Sequence, residues 1–358
     1  MSYWLSQQIS MTTLCKTWWR FLWLSLWLIL TNAPGIAQST VNRIDSLMKA
    51  KHQAGEFNGT VLVALDGAVV YRHAFGYAEA GRTLEANTQF YLGSVSKAFT
   101  GMAIMMLVEE NKIAYDDPVG KYFPQLQDFT GTITIRNLLN HTSGLPDYYN
   151  MGKYQDGMTN DMVFSIIMEL DSLAFPPGQR YAYSNTAYVL LSLLIEQVSK
   201  QSFRDFVSTR IFRPTGMNSS EVVDGTQPAM PARAQGHRQN GESDDYRAFT
   251  TGAGGIYSQV DDLFLWDQAL YTEQLVKKET LSQAFAPARL NDGTSSYYGF
   301  GWVLDQRHPG VVQHSGSLAG FRTYFYRDTE NHNTIILLSN YTNDVSSLKE
   351  ALTGLLQY

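Results

Sequence analysis

Strand-type patterning in this sequence is confined to two stretches near opposite ends of the chain, and a long helix-patterned region separates them. Near the start, Thr60–Leu65 and Ala68–Phe75 are rich in β-branched and aromatic residues and are joined by Asp66-Gly67, a strong short hairpin signal. Near the end the pattern returns in Tyr298–Leu304, Val311–His314, Phe321–Arg327 and Thr334–Ser339, with Asp328-Thr329-Glu330-Asn331 as a turn between the last two. The simplest fold that satisfies this layout is α/β: an antiparallel sheet built from both chain termini and flanked by helices, with a mainly helical region inserted. The sheet part is expected over about 38–112 and 289–358, and the insert over about 113–288. A cleft is expected where the two parts meet, a usual place for ligands to bind.

The helical expectations rest on apolar spacing. Val41, Ile44, Leu47 and Met48 fall on one face of a helix over Thr40–His52, and a long apolar helix is expected from Val95 to Glu110. Further helices are expected near Met158–Leu170, Thr186–Ser199, Phe203–Ile211, Gln259–Tyr271 and Val345–Leu356. Pro118, Pro146, Pro176-Pro177-Gly178, Pro214 and Gly216 punctuate them. No repeat or low-complexity linker interrupts the pattern, so residues 38–358 read as one domain.

Residues 1–37 read differently. Lys16 and Arg20 precede the apolar run Phe21–Leu30, and Asn32, Pro34 and then Gly35-Ile36-Ala37 follow it. The run is shorter than the roughly 20 residues of a spanning helix, so a cleavable export signal is expected. A start at Met11 would give it a more usual charged beginning. Cleavage would remove Cys15, the only cysteine, and five of the seven tryptophans. The mature chain, periplasmic or secreted, would have no disulfide, no thiolate and no stable membrane span. The net charge of the full chain, −6, leaves no basic patch for nucleic acid, and cleavage would remove two more positive charges, Lys16 and Arg20. No cofactor is called for: the seven histidines contain neither a His-x-x-x-His pair nor H-E-x-x-H, and no G-x-x-x-x-G-K-[ST] loop is present.

Three short segments carry chemistry. In Ser94-Val95-Ser96-Lys97, at the start of the long helix, serine and lysine share one helical face. A serine hydroxyl needs a neighbouring base, and desolvation can lower a lysine pKa enough to supply one. Helix N-terminal N–H groups can also steady developing negative charge. The form alone says little, since Ser46–Lys49 and Ser346–Lys349 share it. In Tyr183-Ser184-Asn185, an extended backbone would point phenol and amide into one cleft. A tyrosine of lowered pKa can move protons, and an asparagine can bind both a lysine and a substrate carbonyl. Tyr148–Asn150 and Tyr341–Asn343 repeat the pattern. In His314-Ser315-Gly316-Ser317, a cleft-bordering strand would aim His314 and Gly316 at substrate, and the N–H of Ser317 would join that of Ser94 as an oxyanion donor.

The ordered trio resembles the serine β-lactamase and penicillin-binding-protein superfamily, and most of all the branch that joins class C β-lactamases to esterases and D-amino-acid peptidases. The likeness runs from Val41 to Leu356 and includes Leu138-Leu139-Asn140-His141-Thr142-Ser143-Gly144-Leu145-Pro146, Pro177-Gly178, Pro214-Thr215-Gly216-Met217, Gly254-Gly255-Ile256-Tyr257-Ser258 and Tyr298-Gly299-Phe300-Gly301-Trp302. It implies a β-lactamase/transpeptidase-like fold with Ser94 as nucleophile, Lys97 and Tyr183 as proton movers, Asn185 as an orienter, and His314, Gly316 and Ser317 against the substrate.

The departures bear on substrate. Where β-lactamases begin the third motif with a permanently charged lysine, this chain has His314, largely neutral at pH 7. An ester, D-peptide or amide is therefore favoured over a β-lactam, with a β-lactamase and a non-turnover penicillin-binding sensor as alternatives. Arg322 is a substitute cation only if it is not simply a solvated strand residue. His141 reads more readily as a loop stabiliser than as a substrate contact. The partner implied is a small molecule or peptide with an ester or amide carbonyl.

Overall fold

A computed structural model describes residues 38–126, 132–226, 230, 233–245, 248–343 and 345–356. The expected export segment, residues 1–37, lies outside them.

Both termini build one six-stranded antiparallel sheet. Its order is Val303–Leu304, Val311–Leu318, Phe321–Asp328, Asn333–Ser339, Gly59–Leu65 and Ala68–Phe75. The two ends of the sequence meet at the centre, where Gly59 pairs with Ser339 and Val63 with Ile335. Asp66 and Gly67 both take positive φ, which matches the right-handed twist of the strands they join.

Alternation along the central strands explains the layering. Leu62, Ala64, Phe325, Ile336 and Leu338 face the large core shared with the helical region. Their neighbours Val61, Val63, Tyr324, Tyr326, Ile335 and Leu337 face the opposite way, against Ile44 and Met48 of the first helix (residues 38–53) and Leu348 and Leu352 of the last, Ser346–Leu356. Full burial of each such aliphatic side chain contributes about 1.5–3 kcal/mol. A one-residue register slip would exchange the two faces at every position.

Ser96–Glu109 runs through the centre of the molecule, and every residue from Ser96 to Leu107 is buried. Its apolar residues are spread all round, as a helix enclosed by protein requires. Other expected helices appear at Asn160–Met168, Asn185–Ser199 and Val260–Ala269. The Phe203–Val207 helix continues through a wider turn, Ser208–Phe212, and stops at Gly216 in the left-handed region.

Some expectations need correction. Of Tyr298–Leu304 only Val303–Leu304 joins the sheet. The preceding residues instead lie against two helices: a Cβ on Gly301 would fall 2.5 Å from the carbonyl oxygen of Lys97 in the central helix, and one on Gly299 1.8 Å from that of Ala284, the end of the short helix Lys278–Ala284. The "helical" insert also supplies Ile256–Ser258 and Glu221–Val222 to a small sheet that Phe90–Tyr91 completes from outside it, and these strands are too short to show a period. Ile135–Leu139 and Lys278–Ala284 are additional short helices.

Candidate active site

The three motifs converge. Phe90–Tyr91 enters from the small sheet, and Leu92 passes the chain to the single turn Gly93–Val95, so Ser94 stands at the entrance to the central helix. The sheet presses directly on this turn. Gly93 has φ +55, and a Cβ there would come within 3.1 Å of the Gly316 Cα and the Ser317 nitrogen. A Cβ on Gly316 would meet the Leu92 carbonyl oxygen at 2.0 Å and Thr323 Oγ1 at 2.2 Å. Thr323 Oγ1 donates to that carbonyl at 2.7 Å, tying the nucleophile turn to the sheet.

Lys97, fully buried one turn on, points its amine back at the serine. Nζ donates to Ser94 Oγ at 3.1 Å, to Asn185 Oδ1 at 2.8 Å and to the Ala253 carbonyl at 2.8 Å. Burial pulls its pKa down to about 7, with the Asp147 carboxylate opposing the fall. A substantial fraction of the amine is therefore unprotonated at neutral pH and able to take the serine proton.

Ser184 is the N-cap of Asn185–Ser199, its Oγ accepting from the Ala187 N–H, so Asn185 is the first helical residue. Tyr183 lies half-buried, with the Lys97 amine 4.8 Å from its ring centre. Burial raises the phenol pKa, against a lowering contribution from its hydrogen bond to Ser94. The lowered tyrosine pKa imagined from sequence is thus replaced by the opposite shift, and of the two groups only the lysine is a base near pH 7. The protonated phenol can instead donate.

His314 also departs from expectation. Alternation turns it inward, but the ring does not line the cleft. It is buried under Tyr298, whose hydroxyl is 2.9 Å from Nε2, while Nδ1 is 2.7 Å from the Ser315 carbonyl. A carbonyl only accepts, so Nδ1 carries the proton and Nε2 accepts from the tyrosine. Burial and the Lys97 charge lower its pKa to about 3. Arg322 donates through Nη1 to the Ala319 and Phe321 carbonyls, at 2.8 and 2.7 Å.

His141 is buried and in the left-handed region. Its Nδ1 accepts from the Ser184 N–H at 3.2 Å, its carbonyl accepts from Ala182, and its ring packs 4.3 Å from that of Tyr183. It holds the second motif in place, as a loop stabiliser would.

The cleft above Ser94 is lined by Tyr91, Tyr148, Tyr149, Thr250, Gly254, Ser317 and Leu318 together with Asn185, and its volume is about 180 Å3. Pockets enclosing drug-sized ligands run to roughly 300–1,000 Å3, so this one encloses a residue-sized group and leaves the rest of a substrate outside. Tyr148, which repeats the Y-x-N form with Asn150, is a wall of it. Asp147 was not visible at all: it is an ordinary turn residue by type, and its partner lies 38 positions away. Among the described residues no cluster of three metal-binding side chains occurs, and no helix is long and apolar enough to cross a membrane.

Sheet, central helix and a serine against a buried lysine together define a serine hydrolase. The Beta-lactamase family model matches residues 44–357, and the chain belongs to that family. It is 37% identical to penicillin-binding protein 4* of Bacillus subtilis (strain 168), over 86% of this chain and 73% of that protein. It is 28% identical to a D-aminopeptidase of Brucella melitensis, over 80% of this chain and 57% of the relative. Among solved structures it is similar to the octameric penicillin-binding protein homologue from Pyrococcus abyssi, at 27% identity and TM-score 0.78, over 88% of this chain and 76% of that one.

Proposed function

We propose that this is an exported hydrolase that cleaves an ester or amide bond through an acyl-enzyme on Ser94, with an esterase or D-amino-acid peptidase or amidase activity. The observation that carries the reading is the Lys97 amine, 3.1 Å from Ser94 Oγ and with its pKa brought down to about 7. Lys97 takes the hydroxyl proton as Oγ bonds to the substrate carbonyl carbon. The backbone N–H groups of Ser94 and Ser317 face the oxyanion. Tyr183 passes a proton to the leaving alcohol or amine as its bond to the carbonyl breaks. Water then attacks the acyl-enzyme by the reverse proton route and frees Ser94. Asn185 orients the lysine, Gly316 gives the close approach of strand to nucleophile, and His314 supports Tyr298 beside Tyr183.

Neutral His314 and a cleft whose described lining residues carry no cation favour esters, amides or D-peptides over a β-lactam with its carboxylate. The similarity to a D-aminopeptidase supports the same choice. A second reading, acylation without turnover, is favoured by the similarity to penicillin-binding protein 4*. Purified protein is to be offered p-nitrophenyl esters, D-amino-acid amides and a chromogenic cephalosporin, with intact mass recorded. We expect repeated release of product from the first two and no lasting adduct. Ser94→Ala abolishes turnover and labelling; unchanged labelling refutes the nucleophile. Rapid cephalosporin turnover alone would establish a β-lactamase, and a persistent adduct a sensor. Export is tested by sequencing the N-terminus of protein from the periplasm or medium, expected at Gln38.

A further inference from the structure

We propose that Asp147 is a positioning residue of the hydrolytic site, its carboxylate fixing the Asn185 amide in the one orientation that offers an acceptor to Lys97. The inference rests on the Ser94–Lys97 reading and extends it to a residue outside the three motifs.

An asparagine side chain has two nearly isosteric ends, one accepting and one donating. The Lys97 amine gives hydrogens to Asn185 Oδ1 and the Ala253 carbonyl, and as a base it must keep its lone pair for the Ser94 proton, so it needs the oxygen end. Asp147 decides which end faces it. Its Oδ2 receives the Asn185 side-chain Nδ2 at 3.0 Å and also the Asn185 backbone N–H. Its Oδ1 receives the backbone N–H groups of Tyr149 at 2.8 Å and Asn150 at 3.4 Å. Four donors converge on one buried side chain, which an ionised carboxylate satisfies and an amide does not. A flipped Asn185 would set oxygen against carboxylate, a repulsive contact, and would aim NH2 at the amine, where it meets hydrogens or ties up the lone pair that the base needs. The Asn185 N–H is also one of the unpaired donors of the first turn of a 15-residue helix, where an anion is favoured.

The same charge acts on the lysine through space. Around Lys97 stand Ser94, the Tyr183 and Tyr188 rings, His141, His314 and Asn185. Both phenols are raised and both imidazoles lowered in pKa, so all four are neutral near pH 7. Asp147 is the charge that opposes the effect of burial on the amine. Its loss would therefore misorient the acceptor and lower the lysine pKa further.

A carboxylate that merely anchored the 147–150 turn would explain two of the four bonds, so the test must separate the roles. Hydrolysis of a p-nitrophenyl ester is to be followed in wild type, Asp147→Asn, Asp147→Ala, Asn185→Ala, the Asp147→Ala/Asn185→Ala double variant and Ser94→Ala, with a thermal melt of each. Leaving a buried partner unsatisfied costs about 1–3 kcal/mol, or about 5- to 150-fold. We expect kcat of Asp147→Asn to fall by about tenfold or more with KM little changed. The acidic limb of its kcat/KM profile should move to lower pH. The double variant should be no slower than Asn185→Ala, because one residue acts through the other. Additive losses, or an Asp147→Asn variant with wild-type kcat, would overturn the proposal. So would loss of folding in both Asp147 variants, which would mark a structural anchor only. An active Ser94→Ala protein would instead bring down the serine reading, and this inference with it.

Discussion

Replacing Lys97 by methionine should disable the enzyme and simultaneously change how its stability depends on pH. In the folded chain the amine titrates near 7, against 10.5 for the unfolded side chain, because burial disfavours the cation. Between those values the unfolded state binds more protons, so wild-type stability rises with pH across the window. At 1.36 kcal/mol per unit, the whole penalty at low pH is on the order of 5 kcal/mol, and the part recovered between pH 6 and 9 is about 2–3 kcal/mol. Methionine keeps the apolar stem and has no proton to lose. It strips a donor from Asn185 Oδ1 and the Ala253 carbonyl, at about 1–3 kcal/mol each. That cost does not vary with pH, so it offsets the two stability curves without tilting them. Urea unfolding of both proteins from pH 6 to 9 gives the difference directly. In parallel, wild-type kcat/KM for a p-nitrophenyl ester should climb through pH 7 as the amine becomes a base, while Lys97→Met loses about 10²–10⁴-fold. Stability and rate must report the same pKa. A stability difference that stays flat with pH, or an acidic limb far from 7, would refute the lysine as base.

Two further substitutions probe the geometry behind that base. Gly316→Ala puts a methyl 2.0 Å from the Leu92 carbonyl oxygen, so the strand must withdraw from the nucleophile turn. A displacement of about 1 Å costs on the order of 10²-fold in rate, and ester turnover should fall by that much. Gly354→Ala on the last helix, which meets nothing within 4 Å and needs no positive φ, should remain active. Asp267→Ala removes the partner of Arg327, an ion pair buried at 0% and 1% side-chain exposure under the sheet. Thr334 Oγ1 loses its bond to the same carboxylate. An uncompensated buried charge costs about 3–5 kcal/mol, read as a lower urea midpoint.

How far the site was legible follows from what each residue depends on. Ser-x-x-Lys occurs three times, and local context separated the copies. Ser46–Lys49 lies on an amphipathic surface helix, where Lys49 is 57% exposed and pairs with Asp45. Ser346–Lys349 lies on the last helix, whose lysine reaches Ser315. Ser94 alone opens a helix apolar on every side, and that run is plain in the sequence. The strands read well for a similar reason, since Gly59–Leu65 and Asn333–Ser339, which pair across the two ends of the chain, hold near-continuous apolar segments buried on both faces. The contacts around the motifs did not read. Tyr298 covers His314 because Gly299 and Gly301 let its segment leave the sheet and press on the central helix and on Lys278–Ala284. Asp147 meets Asn185 only once the loop after Pro146 folds back onto a helix start. The rise in the Tyr183 pKa is likewise a property of enclosure, which tyrosine-x-asparagine spacing does not encode.

Enclosure also governs how charge is distributed around the serine, and this bears on the substrates proposed for the site. A cation at the third motif would have to sit beside the Lys97 amine in a dry pocket. His314 avoids that conflict by staying neutral, its Nδ1–H committed to the Ser315 carbonyl and its Nε2 to Tyr298. Arg322 is turned onto the Ala319 and Phe321 carbonyls. Asp147 meanwhile lies buried behind Asn185, which lines the cleft. A substrate carboxylate placed beside Ser317 would therefore lose its hydration without gaining an ion pair from the described lining residues. A neutral acyl group, or one bearing an amine, meets no such cost. The proposed preference for neutral substrates over β-lactams thus rests on the same ground as the proposed lysine base: among the described residues around Ser94, the amine of Lys97 is buried and its pKa is brought down to about 7.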